Sequence, residues 1–218
     1  MAAIDTSTEQ DYAAGRRLLV DVASLLYDRR LTELQGGNMS LRVGDAAVLT
    51  PTKASENDGW RLAPEDTLVQ DLEGNVLVGD PARISREIVL HLRLYNAYPE
   101  LGAVFHLHLP EALGSAAAGR WEPGVVRATP DEFGASLVLL EADLKAQTEP
   151  HDGRVTELLG QVERAAGAIS ISPGHGIFCV GRDVPTAIRA ADVLRQRMES
   201  ERLRGRLRTA RALAAAQA

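Results

Sequence analysis

The chain holds only five histidines, His91, His106, His108, His151 and His175, and two of them sit two residues apart in Val104-Phe105-His106-Leu107-His108-Leu109. On a β-strand, residues two apart face the same side, so both imidazoles project together and can reach one metal ion at about 2.0–2.1 Å. The competing reading is a pair of satisfied polar side chains on a half-exposed strand. The apolar neighbours mark an inner strand, where two imidazoles without partners would be costly. His175 stands between Gly174 and Gly176, and flanking glycines let the backbone bend and a bulky ligand approach the ring; an exposed turn histidine is the plainer alternative. His91 falls on a helix and His151 in a polar loop, and neither is assigned a role. Glu87, just after Ser85 and Arg86, lies near a helix start. The helix dipole alone can account for a carboxylate there, and a fourth ligand or general base is the sharper reading.

The elements that must position these groups follow from hydrophobic periodicity. Residues 8–30 read as an amphipathic helix with Leu18, Val22, Leu25 and Leu26 as its apolar stripe. Gly36-Gly37 breaks it. Strands are expected at 39–43 and 47–50, and at 67–72 and 75–78 with a hairpin turn at Glu73-Gly74. A helix from Ser85, as N-cap, to Ala97 precedes a strand over 101–110. Pro110 opens a helix over the alanines near Ser115. A strand at 136–140 and a helix at 153–166 lead to strands at 168–172 and 177–180, joined by the turn that carries His175. Asp183 caps a last helix with the stripe Ala187, Ala191, Leu194 and Met198. Beyond about residue 200 the stripe is lost, and 209–218 reads as frayed.

The bulk numbers exclude several classes. A length of 218 residues suits one core, so 1–218 is read as a single domain. The net charge of −6 argues against a nucleic-acid partner. Arg195 to Arg211 is interleaved with Glu199 and Glu201 and reads as a solvated helix face. The start, MAAIDTSTEQ, lacks the pattern of a secretory signal, and no apolar run is long enough to span a membrane. With a single cysteine, Cys179, no disulfide can form within the chain. These features point to the cytoplasm.

Five motifs in order then carry a resemblance: Gly37-Asn38-Met39-Ser40, Thr50-Pro51-Thr52, Ser85-Arg86-Glu87, His106-Leu107-His108 and His175-Gly176. The set resembles the class II aldolase/adducin family over about residues 10–205. The resemblance implies an α/β fold, a three-layer α/β/α domain around a mainly antiparallel sheet, in tetramers with the active site at a subunit boundary. It implies zinc, with manganese or cobalt as alternatives, on His106, His108 and His175, and Glu87 as resting-state ligand and acid/base. It also implies an anion pocket of Gly37, Asn38, Thr52 and Ser85.

Two departures stand out. Lys53 replaces the glycine that follows Thr-Pro-Thr in the sugar-phosphate aldolases, and Arg86 replaces a second serine. Both can grip a phosphate or a carboxylate, and a basic residue before the glutamate is similar to the decarboxylase branch, which acts on 3-oxo acid phosphates. The chain also lacks the later tyrosine of the fuculose-phosphate aldolase branch. Asp131 lies at a position similar to an acid/base aspartate of the epimerase branch, with a plain loop carboxylate as the alternative. The function expected is a metal-dependent carbon–carbon lyase acting on a small, phosphorylated hydroxy-ketone through an enediolate. Decarboxylation, dehydration or epimerisation on the same scaffold are alternatives, and a non-catalytic adducin-like binding domain is the rival of another class.

Overall fold

The computed structural model describes residues 6–111, 137–141, 167–172 and 176–216. The expectations placed on Ser115, Asp131, His151, the helix at 153–166 and His175 lie outside these residues. One sheet organises the fold. Its strands are β1 (Asn38–Val43), β2 (Ala46–Leu49), β3 (Leu68–Asp71), β4 (Val76–Val78), β5 (Ala103–Leu107), β6 (Leu137–Glu141), β7 (Gly167–Ser172) and β8 (Gly176–Gly181). Their spatial order is β4-β3-β2-β1-β5-β8-β7-β6. Every pairing is antiparallel except β6 with β7. The helices are α1 (Thr6–Asp28), α2 (Ala54–Asp58), α3 (Ile88–Ala97) and α4 (Val184–Ala216).

The two-residue period of the strands sorts side chains onto two faces. Met39, Leu41, Phe105, Ile177 and Cys179 join Leu19, Leu26, Ala191 and Leu194 in a core beneath α1 and α4. Val104, Phe178 and Val180 join Ile88, Leu94 and Tyr95 in a second core beneath α3. The result is the expected α/β/α sandwich around a mainly antiparallel sheet. Burying each large apolar side chain contributes roughly 1.5–3 kcal/mol, so both faces are firmly covered. β5 lies centrally between β1 and β8, which fixes His106 on the α3 face with Val104 and Phe178.

Several elements depart from the sequence reading. On α1 the buried stripe is Gly15, Leu19, Val22, Ala23 and Leu26, whereas Leu18 and Leu25 are exposed; periodicity located the helix but rotated its face. β5 ends at Leu107, so His108 follows the strand rather than lying on it. Ser85 is not the N-cap of α3: Glu87 holds that position, and Ser85 closes the turn before it by accepting Ile88 N–H on its carbonyl at 3.2 Å. The polar stretch after Thr52 contains α2, which is entered through Lys53 at φ 58°. The end expected to fray, from 209, is helical to Ala216: α4 runs on through Gly205 without the apolar stripe. Past Met198 it is exposed, held by Arg, Leu and Ala propensity and by an Arg197–Glu201 pair at 3.1 Å. Asp183 does cap it, accepting Thr186 N–H at 2.7 Å. No described helix is long and apolar enough to cross a membrane.

Candidate functional site

Sheet register places three side chains in one row across the α3 face, because Asn38 pairs with His106 and His106 pairs with Phe178. Glu87, at the head of α3, reaches down onto this row. Its Oε2 accepts the Asn38 side-chain N–H at 2.6 Å and lies 2.8 Å from Nδ1 of the buried His106. An ionised carboxylate is acceptor-only, so Nδ1–H of His106 donates and Nε2 keeps its lone pair for a ligand. The ring of Phe178 stacks on His106 at 4.5 Å, 8° from parallel. A histidine oriented by a carboxylate on one nitrogen and presenting the other is the usual form of a metal-bound imidazole.

His108, just beyond β5, keeps its ring centroid 5.1 Å from that of His106. Glu33 Oε1 lies 3.9 Å from its Nδ1, and Trp60 Nε1 donates to the Glu33 carbonyl at 2.8 Å. Gly36, at φ +126°, passes against this ring: a Cβ there would sit 2.6 Å from His108 Cε1. Gly176 plays the same part for His106, since a Cβ on it would overlap Nε2. The space next to both imidazoles is therefore kept open by glycine backbone.

Above the row lies a cavity of about 680 Å³. Gly37, Asn38, Glu87, His106 and His108 line it together with Thr52, Lys53, Ser85 and Arg86. Thr52 N–H donates to the Arg83 carbonyl at 2.7 Å, tying the Thr50-Pro51-Thr52 loop to the entry of α3. Lys53 holds a left-handed backbone conformation that costs a non-glycine residue about 1 kcal/mol. Asn38 Oδ1 is buried without a hydrogen-bond partner among the described residues, so an acceptor is left for a ligand.

Behind the row, Ser40 Oγ lies 2.8 Å from Nδ1 of His91 and 2.9 Å from the Tyr95 hydroxyl, and that hydroxyl donates to the Ser40 carbonyl at 3.0 Å. Burial, then the neighbouring His106, pushes the His91 imidazole down to about 3, so it stays neutral. His91 also meets Phe178 edge-on at 6.1 Å.

The structure thus brings together Gly37, Asn38, Thr52, Lys53 and Ser85 with Arg86, Glu87, His106 and His108. His175 and Asp131 lie outside the described residues. Among those residues no group of three or more His, Cys, Asp or Glu converges as a metal site. The residues present still fit a divalent ion in donor chemistry and in the room that Gly36 and Gly176 leave beside the rings. Sequence reasoning missed Phe178, Glu33, Glu56 and Arg93. Arg93 was within reach of it, lying seven residues, two helical turns, past Arg86.

The model of the family described as Class II Aldolase and Adducin N-terminal domain matches residues 17–201. An L-fuculose phosphate aldolase of Methanococcus maripaludis is 29% identical over 177 residues, 81% of this chain and 90% of that protein. A 3-oxo-tetronate 4-phosphate decarboxylase of Haemophilus influenzae is 42% identical over 96 residues, 44% of this chain and 43% of that one. The solved l-fuculose-1-phosphate aldolase from Thermus thermophilus superposes with a TM-score of 0.64 at 20% identity, over 93% of this chain and 97% of that one, a likeness of fold. With the family model spanning most of its length, the chain belongs to the class II aldolase/adducin family.

Proposed function

We propose that this chain, as one domain over 1–218, is a divalent-metal-dependent carbon–carbon lyase acting on a small, phosphorylated hydroxy-ketone. The observation that carries the reading is Glu87 Oε2, held between Asn38 and Nδ1 of His106, all three lining the cavity. His106, His108 and His175 would hold the ion, with Glu87 as a further ligand at rest; Gly176, against His106 Nε2, directly follows His175 in the chain and supports its inclusion. Zinc suits this donor set, and manganese or cobalt also accept imidazole. The bound ion supplies Lewis-acid polarisation of a substrate carbonyl.

The remaining work falls to side chains. Asn38 fixes the Glu87 carboxylate, and Glu87 moves a proton to or from the carbon that becomes the enediolate. Gly37, Thr52 and Ser85, with Lys53 and Arg86 beside them in the cavity lining, bind the phosphate by charge-assisted hydrogen bonds. Asp131 is proposed as the second acid/base, which protonates or deprotonates the leaving fragment. The reading includes a cytoplasmic homotetramer with the site at a subunit boundary.

Aldol cleavage is the first reading. Decarboxylation of a 3-oxo sugar-acid phosphate is the second, favoured by Arg86 before Glu87 and by the likeness to the decarboxylase over 96 residues. Metal-loaded protein incubated with ketose 1-phosphates and 3-oxo acid phosphates separates them: a triose phosphate as product supports the first, carbon dioxide the second. No turnover of either class would contradict both.

A further inference from the structure

The two imidazoles of the cavity have similar surroundings. Nε2 of His106 and of His108 is buried. Nδ1 of each faces a carboxylate, Glu87 at 2.8 Å from His106 and Glu33 Oε1 at 3.9 Å from His108. Glu87 has a place in the proposed chemistry, whereas Glu33 has none. Among the described residues the Glu33 carboxylate makes no other ion pair. Its side chain is 34% exposed, which leaves it room to close a gap longer than a hydrogen bond.

The backbone that carries Glu33 is fastened at two points. Trp60 Nε1 donates to the Glu33 carbonyl at 2.8 Å, and Gly36 N–H donates to the Ser55 hydroxyl at 3.0 Å. Ser55, on α2, and Trp60, just past its end, are both buried. The segment they hold lays Gly36 against the His108 ring, where a Cβ would sit 2.6 Å from Cε1. Trp60 adopts a left-handed conformation at φ 62°, which costs a non-glycine residue about 1–2 kcal/mol. Three hydrogen bonds keep it there. Its N–H donates to the Ala54 carbonyl at 3.3 Å, its carbonyl accepts Ser24 Oγ–H at 3.2 Å, and its indole N–H holds Glu33. Strain persists where the surroundings over-determine it, and here the surroundings fix the approach of Glu33 to His108.

Building on the metal reading proposed above, we infer that Glu33 is the positioning residue of His108. It accepts Nδ1–H, which sets the tautomer and orientation of the ring and leaves Nε2 as the atom that faces a divalent ion. His108 lies past the end of β5. Glu33 therefore supplies it with the restraint that strand pairing and Glu87 give His106.

The test uses full-length protein stripped of metal and titrated with Zn2+ in competition with a chromophoric chelator. Glu33→Ala should weaken Zn2+ binding about 10–100-fold. Glu33→Gln keeps an acceptor oxygen at the same side-chain length and should recover part of that loss. In Co2+-loaded protein the visible absorption bands should shift in Glu33→Ala and return toward the unaltered spectrum in Glu33→Gln. The Tm of the metal-free protein should change little, because a partly exposed ion pair contributes little to stability. Unchanged Zn2+ affinity in Glu33→Ala would overturn the inference and leave the metal reading standing. Equal losses in the two variants would also overturn it, since charge alone would then act, without an oriented hydrogen bond. A metal-free Tm that falls in step with the affinity would make Glu33 a structural residue and overturn it as well. Failure of the unaltered protein to bind either Zn2+ or Co2+ would overturn the metal reading itself, and the inference with it.

Discussion

The imidazole of His106 and the phenyl ring of Phe178 are stacked, their centroids 4.5 Å apart and their planes 8° from parallel, on neighbouring strands of the sheet. With Glu87 on Nδ1 and Phe178 on its face, the His106 ring has one orientation open to it. Preorganisation of this kind spares a site the cost of ordering a ligand when the metal arrives. The fold gives that stacking through strand register, and α3 brings the carboxylate.

Glu87→Gln keeps the shape of the side chain and removes its basicity. Metal content is expected to fall little, while kcat falls by about 10²–10⁴. Steady-state kinetics beside metal analysis checks this, and normal turnover would remove Glu87 from the chemistry.

Gly176→Ala places a methyl group onto His106 Nε2. Overpacking of this kind costs about 1–3 kcal/mol, and here it also blocks the nitrogen proposed to face the ion. Metal affinity should drop at least about tenfold, with a modest loss in Tm. An unaltered affinity would mean that this nitrogen is not the one used.

Arg86→Ser removes a cation from the cavity lining. KM for a phosphorylated substrate should rise roughly tenfold with kcat little changed, and the rise should shrink at high salt. A KM that does not move would take Arg86 out of the anion pocket.

His91 is held neutral, with its imidazole pushed down to about 3 from 6.5. The unfolded chain takes up a proton at this residue below pH 6.5, whereas the folded chain does not until about 3. Its contribution is therefore fully present above the unfolded value and is lost as pH falls through that window, by up to about 1.4 kcal/mol per pH unit. Denaturant titrations between about pH 7 and 4.5, inside that window, should show a shallower pH dependence in His91→Asn than in the unaltered protein. Equal slopes would contradict the assignment.

Much of this was legible because it rests on short-range rules. Alternation placed His106 on an inner strand, and the motif order placed Asn38, Thr52, Ser85 and Glu87 around it. What stayed hidden depended on long-range pairing. Phe178 is an ordinary apolar strand residue until register sets it beside His106. Leu18 and Leu25 satisfy a helical period, yet only the sheet decides which side of α1 is buried. The continuation of α4 to Ala216 was missed because a core stripe was sought where intrinsic propensity and surface ion pairs hold the helix instead. Lys53 illustrates the opposite case, a departure visible in sequence whose left-handed backbone at φ 58° only the structure reveals.

On the proposed reading, His106 helps to hold a divalent ion. The direct measurement is metal content per subunit of protein purified without a histidine tag, before and after chelation, beside His106→Ala. About one zinc or similar ion per subunit is expected, removed by chelation, restored on reconstitution and absent from the variant. A native protein that takes up no metal even on reconstitution, or a variant that keeps it, would contradict the claim. The first result would point to a fold retained for binding rather than catalysis.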